Sequence, residues 1–269
     1  SFYARVAAGA GGPVRVGLIG DDGRDLGSAA VKGVTNAAWT KYACHFPCLG
    51  TDPRARFVLQ APSAGTLDLD VVSLFPRHTF KNRPNGCRAD LGQLLADLKP
   101  AFVRFPGGCV VEGAAFANRY RWKETIGPIE GRPGHWSLWN YRNVDGLGFH
   151  EFLQLCEDLG ADGMFVCNVG LSCEFRNGDF LPEDRLGEQV QDTLDAVEYA
   201  LGGADTKWGA ERAKNGHPAP FPLKYVEIGN ENHGPVYNRY YRIFHAALKK
   251  AWPQLTLIFN GGTSDTGPA

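Results

Sequence analysis

The stretch Tyr225 to Asn232, YVEIGNEN, sets an amide and a carboxylic acid side by side at Asn230 and Glu231. Such a pair both hydrogen-bonds a ligand and exchanges a proton with it, so where the fold carries it decides whether it does chemistry. Val226 and Ile228 alternate with Glu227 in the period-2 pattern of a strand, and Gly229 lets the backbone turn as the pair arrives at the strand's C-terminal end. In parallel α/β folds the loops at those ends carry the ligand sites. Read locally, the same residues serve equally as a helix cap at Asn232 and a favourable charge at the start of a helix at Glu231. Three more candidates fall at comparable places. Arg104 and Cys109 flank the turn Pro106-Gly107-Gly108 after one apolar run, and Asn168 lies near the end of another. Each has a plain structural reading: a buried ion-pair residue, a tight turn, a loop cap. Their recurrence at the same end of successive strands is what a site looks like.

The elements that must position these residues alternate between helices and apolar strands. Leu91, Leu94, Leu95 and Leu98 fall at i, i+3, i+4 and i+7, a helix with one apolar face that Pro100 stops. Residues 101 to 108, AFVRFPGG, read as a buried strand. A second helix runs from Phe149 to Leu159 and ends at Gly160, followed by the strand MFVCNVG from Met164 to Gly170. A third helix spans about Asp184 to Leu201, and Gly202-Gly203 ends it. YVEIGN is the third strand. A fourth helix carries Tyr237, Tyr241, Phe244, Leu248 and Ala251, and LTLIFN from Leu255 to Asn260 is the fourth strand. Apolar strands alternating with amphipathic helices predict a parallel sheet covered by helices, either part of a (β/α)8 barrel or half of a doubly wound sheet.

Two other regions follow different rules. Residues 1–76 show short alternating runs, such as Ala55, Phe57 and Leu59, punctuated by Gly23, Gly27, Gly50, Pro53 and Gly65, the spacing of a β-sandwich or jelly roll. Trp39 and Tyr42 in that region are expected as buried sandwich aromatics rather than as a sugar-stacking platform. The boundary is set at the Phe75-Pro76 corner, with the α/β portion over 77–269. Cys109 to Leu147 forms a connection of about 40 residues without a clear helix, carrying Tyr120, Trp122, Trp136, Trp139 and Tyr141. Loops that long inside a domain are usually functional or disordered, and the Trp and Tyr content of this one argues against disorder.

Composition narrows the partners. With 28 Lys and Arg against 29 Asp and Glu, the net charge of -1 provides no footprint for nucleic acid or an acidic membrane. No apolar run approaches the ~18 residues of a membrane span. The seven cysteines include no CxxC pair, which argues against a zinc ribbon or a thioredoxin-type site, and Cys156 and Cys167 fall in apolar patterns that read as core. HExxH, GxSxG, P-loop and GxGxxG motifs are absent from the sequence.

The runs RFPGGCVVEG (Arg104 to Gly113), RWKETIGP (Arg121 to Pro128), Arg132-Pro133, DGLG (Asp145 to Gly148) and YVEIGNEN, in this order, resemble glycoside hydrolase family 51, the α-L-arabinofuranosidases. The likeness extends over about Leu74 to Asn260, and residues 1–76 more loosely resemble a carbohydrate-binding-module-like β-sandwich. The resemblance implies a (β/α)8 TIM barrel and a retaining mechanism, in which one carboxyl protonates the departing glycosidic oxygen and a second, about 5 Å from the first, attacks the anomeric carbon. It gives Glu231 the general acid/base role, Asn230 a hydroxyl next to the anomeric centre, and Arg104 an orienting role. Cys109 corresponds to a position held by Asn in some relatives, and Trp139 to a tryptophan lining the subsite. It also implies that the chain corresponds to about strands two to five of the barrel, with the nucleophilic Glu of the seventh strand outside it, and that the piece alone is inactive. The substrate is expected to be an arabinose-containing oligo- or polysaccharide, from which non-reducing terminal α-L-arabinofuranosyl residues are released, and a homo-oligomer is expected because family members often form one. The two carboxyls suffice for the reaction, so no metal or organic cofactor is expected. The competing expectations are another barrel glycosidase, such as a β-xylosidase or endoglucanase, and a non-catalytic carbohydrate-binding protein.

Overall fold

A computed structural model of the chain describes residues 1–261 other than 10, 62 and 85. Two units separate, Ser1–Gly86 and Cys87–Ala269. The first contains β1 (Phe2–Ala8), β2 (Gly12–Ile19), β3 (Asp25–Val34), β4 (Thr40–Tyr42), β5 (Arg56–Gln60) and β6 (Thr66–Asp70). They form two three-stranded antiparallel sheets in the orders β4-β1-β6 and β3-β2-β5. Phe2 and Ala4 of β1 and Val14 and Val16 of β2 alternate inward as period-2 patterning requires, and Val31 and Val34 of β3 join the same core on either side of a register shift in the β2–β3 pairing. Trp39 departs from the expected burial. It is 44% exposed, with the Arg5 guanidinium 5.0 Å from its ring, whereas Tyr42 is half-buried and stacks on Phe2.

The second unit contains α1 (Ala89–Asp97), β7 (Phe102–Phe105), α2 (Gly108–Glu112), β8 (His135–Trp136), β9 (Arg142–Asn143), α3 (Phe149–Leu159), β10 (Asp162–Cys167), α4 (Leu186–Leu201), α5 (Lys207–Lys214), β11 (Leu223–Ile228), α6 (Gly234–Ala251) and β12 (Thr256–Phe259). β7, β10, β11 and β12 pair in parallel and lie side by side in sequence order. Each crossover carries at least one helix, as parallel pairing demands. Phe149, Phe152, Leu153 and Cys156 of α3 are all 0–1% exposed, and Gly160 ends the helix in the left-handed conformation. Cys167 is buried in β10.

Three elements depart from expectation. β7 is half open, with Phe102 47% exposed, because it is an edge of the described sheet and pairs only with β10. The leucines of α1 lie on one face as their spacing predicts, yet that face is exposed, Leu98 to 76%. α5 went unpredicted because its sequence, KWGAERAK, has no apolar stripe. It is held instead by polar contacts. The Thr206 hydroxyl accepts from Gly209 N, and the fully buried Arg212 donates to the carbonyls of Tyr199, Ala200, Gly202, His217 and Pro218. Those carbonyls include the last ones of α4, which a helix end leaves unpaired.

Candidate active site

β11 carries two kinds of side chain because successive residues of a strand face opposite ways. Val226 and Ile228 are 0% exposed in the core, and Glu227 between them projects to the other face, where it is 7% exposed. A charge so buried needs a partner. Arg104 of β7 supplies it, donating from Nε to Glu227 Oε2 at 2.5 Å and from Nη2 to Oε1 at 2.8 Å. Asn260 Nδ2 adds a third donor at 3.1 Å. The Glu227 hydrogen bonds raise the Arg104 pKa above its ordinary value, so the guanidinium is a permanent cation. Its Nη2 also donates to Asn230 Oδ1 at 2.8 Å. Arg104 thus orients the amide of the Asn-Glu pair.

Gly229 makes the turn at φ 88°, and a Cβ there would sit 2.5 Å from Asn232 Oδ1, so no larger residue fits. Asn232 is not a helix cap. α6 starts at Gly234 behind His233, while Asn232 Oδ1 accepts from Asn230 N at 3.0 Å and its Nδ2 donates to Glu112 Oε1 at 2.8 Å. Between these two buried asparagines Glu231 stands exposed, on a left-handed backbone at φ 51°. The Cys109 thiol lies 3.9 Å from Glu231 Oε2.

The PGG turn leads directly into α2. Gly107 has φ 62°, and a Cβ on it would strike the Arg104 guanidinium at 2.1 Å. The turn therefore brings backbone against Arg104 and aims α2 so that Cys109 and Glu112, one turn apart, face the Asn-Glu loop. Glu112 is 3% exposed and accepts from Asn232 and, at 3.4 Å, from Asn230. Burial pushes its pKa up to about 7, the asparagine amides pulling it down and the Glu231 charge pushing it up. Burial likewise pushes the Cys109 thiol up to about 12, helped by Cys173, Glu112 and Glu231. At neutral pH Cys109 is a protonated thiol and not a thiolate nucleophile.

Arg104, Cys109, Asn230 and Glu231 therefore meet at one place. Asn168 is nearby in sequence logic but committed to the backbone. Its Nδ2 donates to Val111 O and Leu171 O, its Oδ1 accepts from Gly170 N, and it is 4% exposed. Both amide protons are used, so it braces α2 and the loop after β10. Trp139 sits in the β8–β9 hairpin, 50% exposed, with its backbone N–H donated to Ser137. None of the hydrogen bonds or ring contacts among the described residues joins it to Glu231. The remaining motif residues build the frame. Arg132 donates to Gly127 O and Asp145 O and pairs with Glu151, which in turn accepts from Gly148 N at the start of α3.

Sequence reasoning missed Glu112, Cys173 and Asn232 as members of the site. Glu112 had a signal, a lone carboxylate in the otherwise apolar run CVVEG. The partners that bury it come from more than a hundred residues away, as the contact with Asn232, 120 positions on, illustrates.

A profile of the "Alpha-L-arabinofuranosidase 1 domain" matches residues 94–269. Alpha-L-arabinofuranosidase 1 of Arabidopsis thaliana is 45% identical over 224 residues, covering 82% of this chain and 32% of its own length. A probable α-L-arabinofuranosidase A of Aspergillus flavus is 36% identical over 269 residues, covering 96% of this chain and 43% of its own length. The chain thus spans under half the length of these relatives. Among solved structures, an arabinose-bound family 51 α-L-arabinofuranosidase superposes with a TM-score of 0.86 at 34% identity over 96% of this chain and 42% of that one. The arabinose complex of the Thermotoga maritima α-L-arabinofuranosidase gives 0.53 at 26% identity over 65% of this chain and 34% of that one. The chain belongs to the family 51 α-L-arabinofuranosidases.

Proposed function

We propose that this chain is the acid/base half of a retaining α-L-arabinofuranosidase that releases non-reducing terminal arabinofuranosyl residues from plant oligo- and polysaccharides. The observation that carries the reading is the exposure of Glu231 within a loop of fixed neighbours. It is the open carboxylate between Asn230 and Asn232, both buried and both hydrogen-bonded to Glu112.

In this reading Glu231 protonates the glycosidic oxygen as the bond to the anomeric carbon breaks, and in the second half-reaction takes a proton from the attacking water. Asn230, held by Arg104, donates an N–H to the sugar hydroxyl beside the anomeric centre. Arg104 acts through Asn230 and Glu227 and does not need to touch the sugar. Cys109 lines the sugar pocket as a neutral thiol, Trp139 contributes an aromatic face, and Asn168 positions the α2 loop. Glu227 and Glu112 are both committed to buried hydrogen bonds, so the nucleophilic carboxylate is assigned to a residue outside those described.

The four adjacent parallel strands favour a portion of a (β/α)8 barrel. A barrel repeats sequential order throughout, whereas each half of the common doubly wound sheets runs about three strands in sequence before the order reverses at the switch point. The two small antiparallel sheets of the first unit are proposed as the carbohydrate-binding-module-like β-sandwich.

The test is Glu231→Ala in the whole enzyme. The expected outcome is a large fall in kcat/KM on substrates with poor leaving groups, a small fall on an activated aryl arabinofuranoside, and recovery of rate with azide. Equal losses on both substrates, without azide recovery, would remove the assignment. Faster turnover of the aryl xyloside than of the arabinofuranoside would redirect it to a β-xylosidase, and sugar binding without turnover in the unaltered protein would leave a binding protein.

A further inference from the structure

The proposed reaction uses Glu231 and Asn230, gives Cys109 only a place in the pocket wall, and leaves unexplained why a second thiol and a buried carboxylate converge beside it. One ligand atom each from Cys109, Glu112 and Cys173 lie within 4.8 Å of one another. In a tetrahedral site with metal–sulfur bonds of about 2.3 Å and metal–oxygen bonds of about 2.0 Å, the ligand atoms are roughly 3.5–3.8 Å apart. Side-chain rotations of about an ångström therefore suffice to enclose one cation.

The segments that carry the three groups are tied together independently of any ligand. Cys173 N donates to Gly113 O at 3.1 Å, Asn177 N donates to Ala114 O at 3.2 Å, and Asn168 bridges Val111 O and Leu171 O. Cys109 and Glu112 share one face of a single helical turn. Asn232 holds Glu112 through Oε1 at 2.8 Å, while Oε2 receives only the long 3.4 Å contact from Asn230. Outer groups that orient a ligating carboxylate in this way are a feature of built metal sites. Glu112 and Cys173 are 3% and 2% exposed, and among the described residues Glu112 has amide and thiol neighbours but no ion pair. Its contrast with Glu227, which has Arg104, is what makes the cluster a place for a positive charge.

We propose that Cys109, Glu112 and Cys173 form a binding site for a thiophilic divalent cation of the zinc and cadmium class. Two sulfur donors select against magnesium and calcium, which take oxygen ligands. Binding releases the two thiol protons and the proton of any protonated Glu112 to the buffer, so the cation is held by two thiolates and one carboxylate. Glu231, 3.9 Å from the Cys109 sulfur, is within reach of the fourth position. An occupied site draws on the carboxylate assigned to proton transfer, which makes the cation a regulator of the site and not a cofactor of the reaction.

Cobalt(II) is the probe, added to the whole protein after treatment with a chelator. One equivalent is expected to produce a near-ultraviolet thiolate-to-cobalt charge-transfer band, which zinc and then cadmium abolish by displacement. Cys173→Ser is expected to remove the band and weaken zinc binding by at least about tenfold. Because Cys173 is buried, Glu112→Gln serves as the second variant, expected to weaken binding by about tenfold with an unchanged circular dichroism spectrum. Cys48→Ser, at an exposed cysteine, keeps the parent behaviour. No charge-transfer band in the parent protein, or parent-like zinc affinity in both site variants, overturns the proposal. The readout is spectroscopic, so it stands or falls separately from the arabinofuranosidase reading.

Discussion

Glu227 and Glu112 are both buried, 7% and 3% exposed, where β11 and α2 approach the Asn-Glu loop, but among the described residues only Glu227 is paired with a cation. On the Glu227 side a bidentate arginine neutralises the charge, and its guanidinium stays charged across the physiological range. On the Glu112 side the partners are amides and a thiol. They solvate the carboxylate without compensating its charge, and its pKa rises to about 7. One side of the site is a fixed clamp, and the other changes its charge near neutrality. Asn230 is bonded to both, so the amide beside Glu231 has a rigid anchor and an adjustable one.

The largest effect should come from breaking the clamp. Arg104→Met leaves Glu227 buried without its cation and is expected to cost about 3–4 kcal/mol, read from the urea midpoint. Adding Glu227→Gln should recover part of that loss. If the double variant is as unstable as the single, the arginine stabilises by packing and not by compensating charge.

Glu112→Gln tests the other side. The carboxyl has an ordinary value of 4.5 and about 7 in the fold. Between those values the native state keeps a proton that the unfolded chain has released, so stability falls as pH rises from about 4.5 to about 7 and is level above. Glutamine keeps the neutral form throughout. The variant should therefore lack this fall and be more stable than the parent at pH 8 by about 2–3 kcal/mol, discounting the shift for relaxation. Identical slopes in parent and variant would mean that Glu112 is ionised in the fold at all these pH values.

Asn232→Ala removes the 2.8 Å donor to Glu112 and should cost about 1–2 kcal/mol. It should also carry the pH-dependent fall to higher pH, since the lost hydrogen bond was holding the carboxyl down. Outside both regions, Trp139→Ala in the exposed hairpin should change the melting free energy by less than about 0.5 kcal/mol. A larger loss would show that its ring is packed in solution.

These contrasts mark what was legible in the sequence. Arg104, Asn230 and Glu231 could be found because strand ends of a parallel fold are predictable and the three fall on them. The surroundings of Glu112 could not, because Asn230 and Asn232 reach it across 118 and 120 positions and no local pattern records such a pairing. Helix periodicity fared similarly. In α3 the apolar face and its burial agree, whereas in α1 the leucine spacing marks a face correctly without saying that anything covers it. Asn168 shows the converse. Its position at a strand end suggested ligand contact, but its amide is spent on carbonyls that only the folded loops bring together.

Glu231 occupies a backbone conformation, φ 51°, that glycine and asparagine adopt more readily than glutamate. Selection for stability alone would replace it, and Glu231→Gly is expected to yield a fold at least as stable as the parent while abolishing the proton transfer proposed for it. A position where the side chain that works and the residue the backbone prefers are different is a trade-off between stability and activity. If Glu231 is the proposed acid/base, stabilised variants selected without an activity screen should accumulate losses there first.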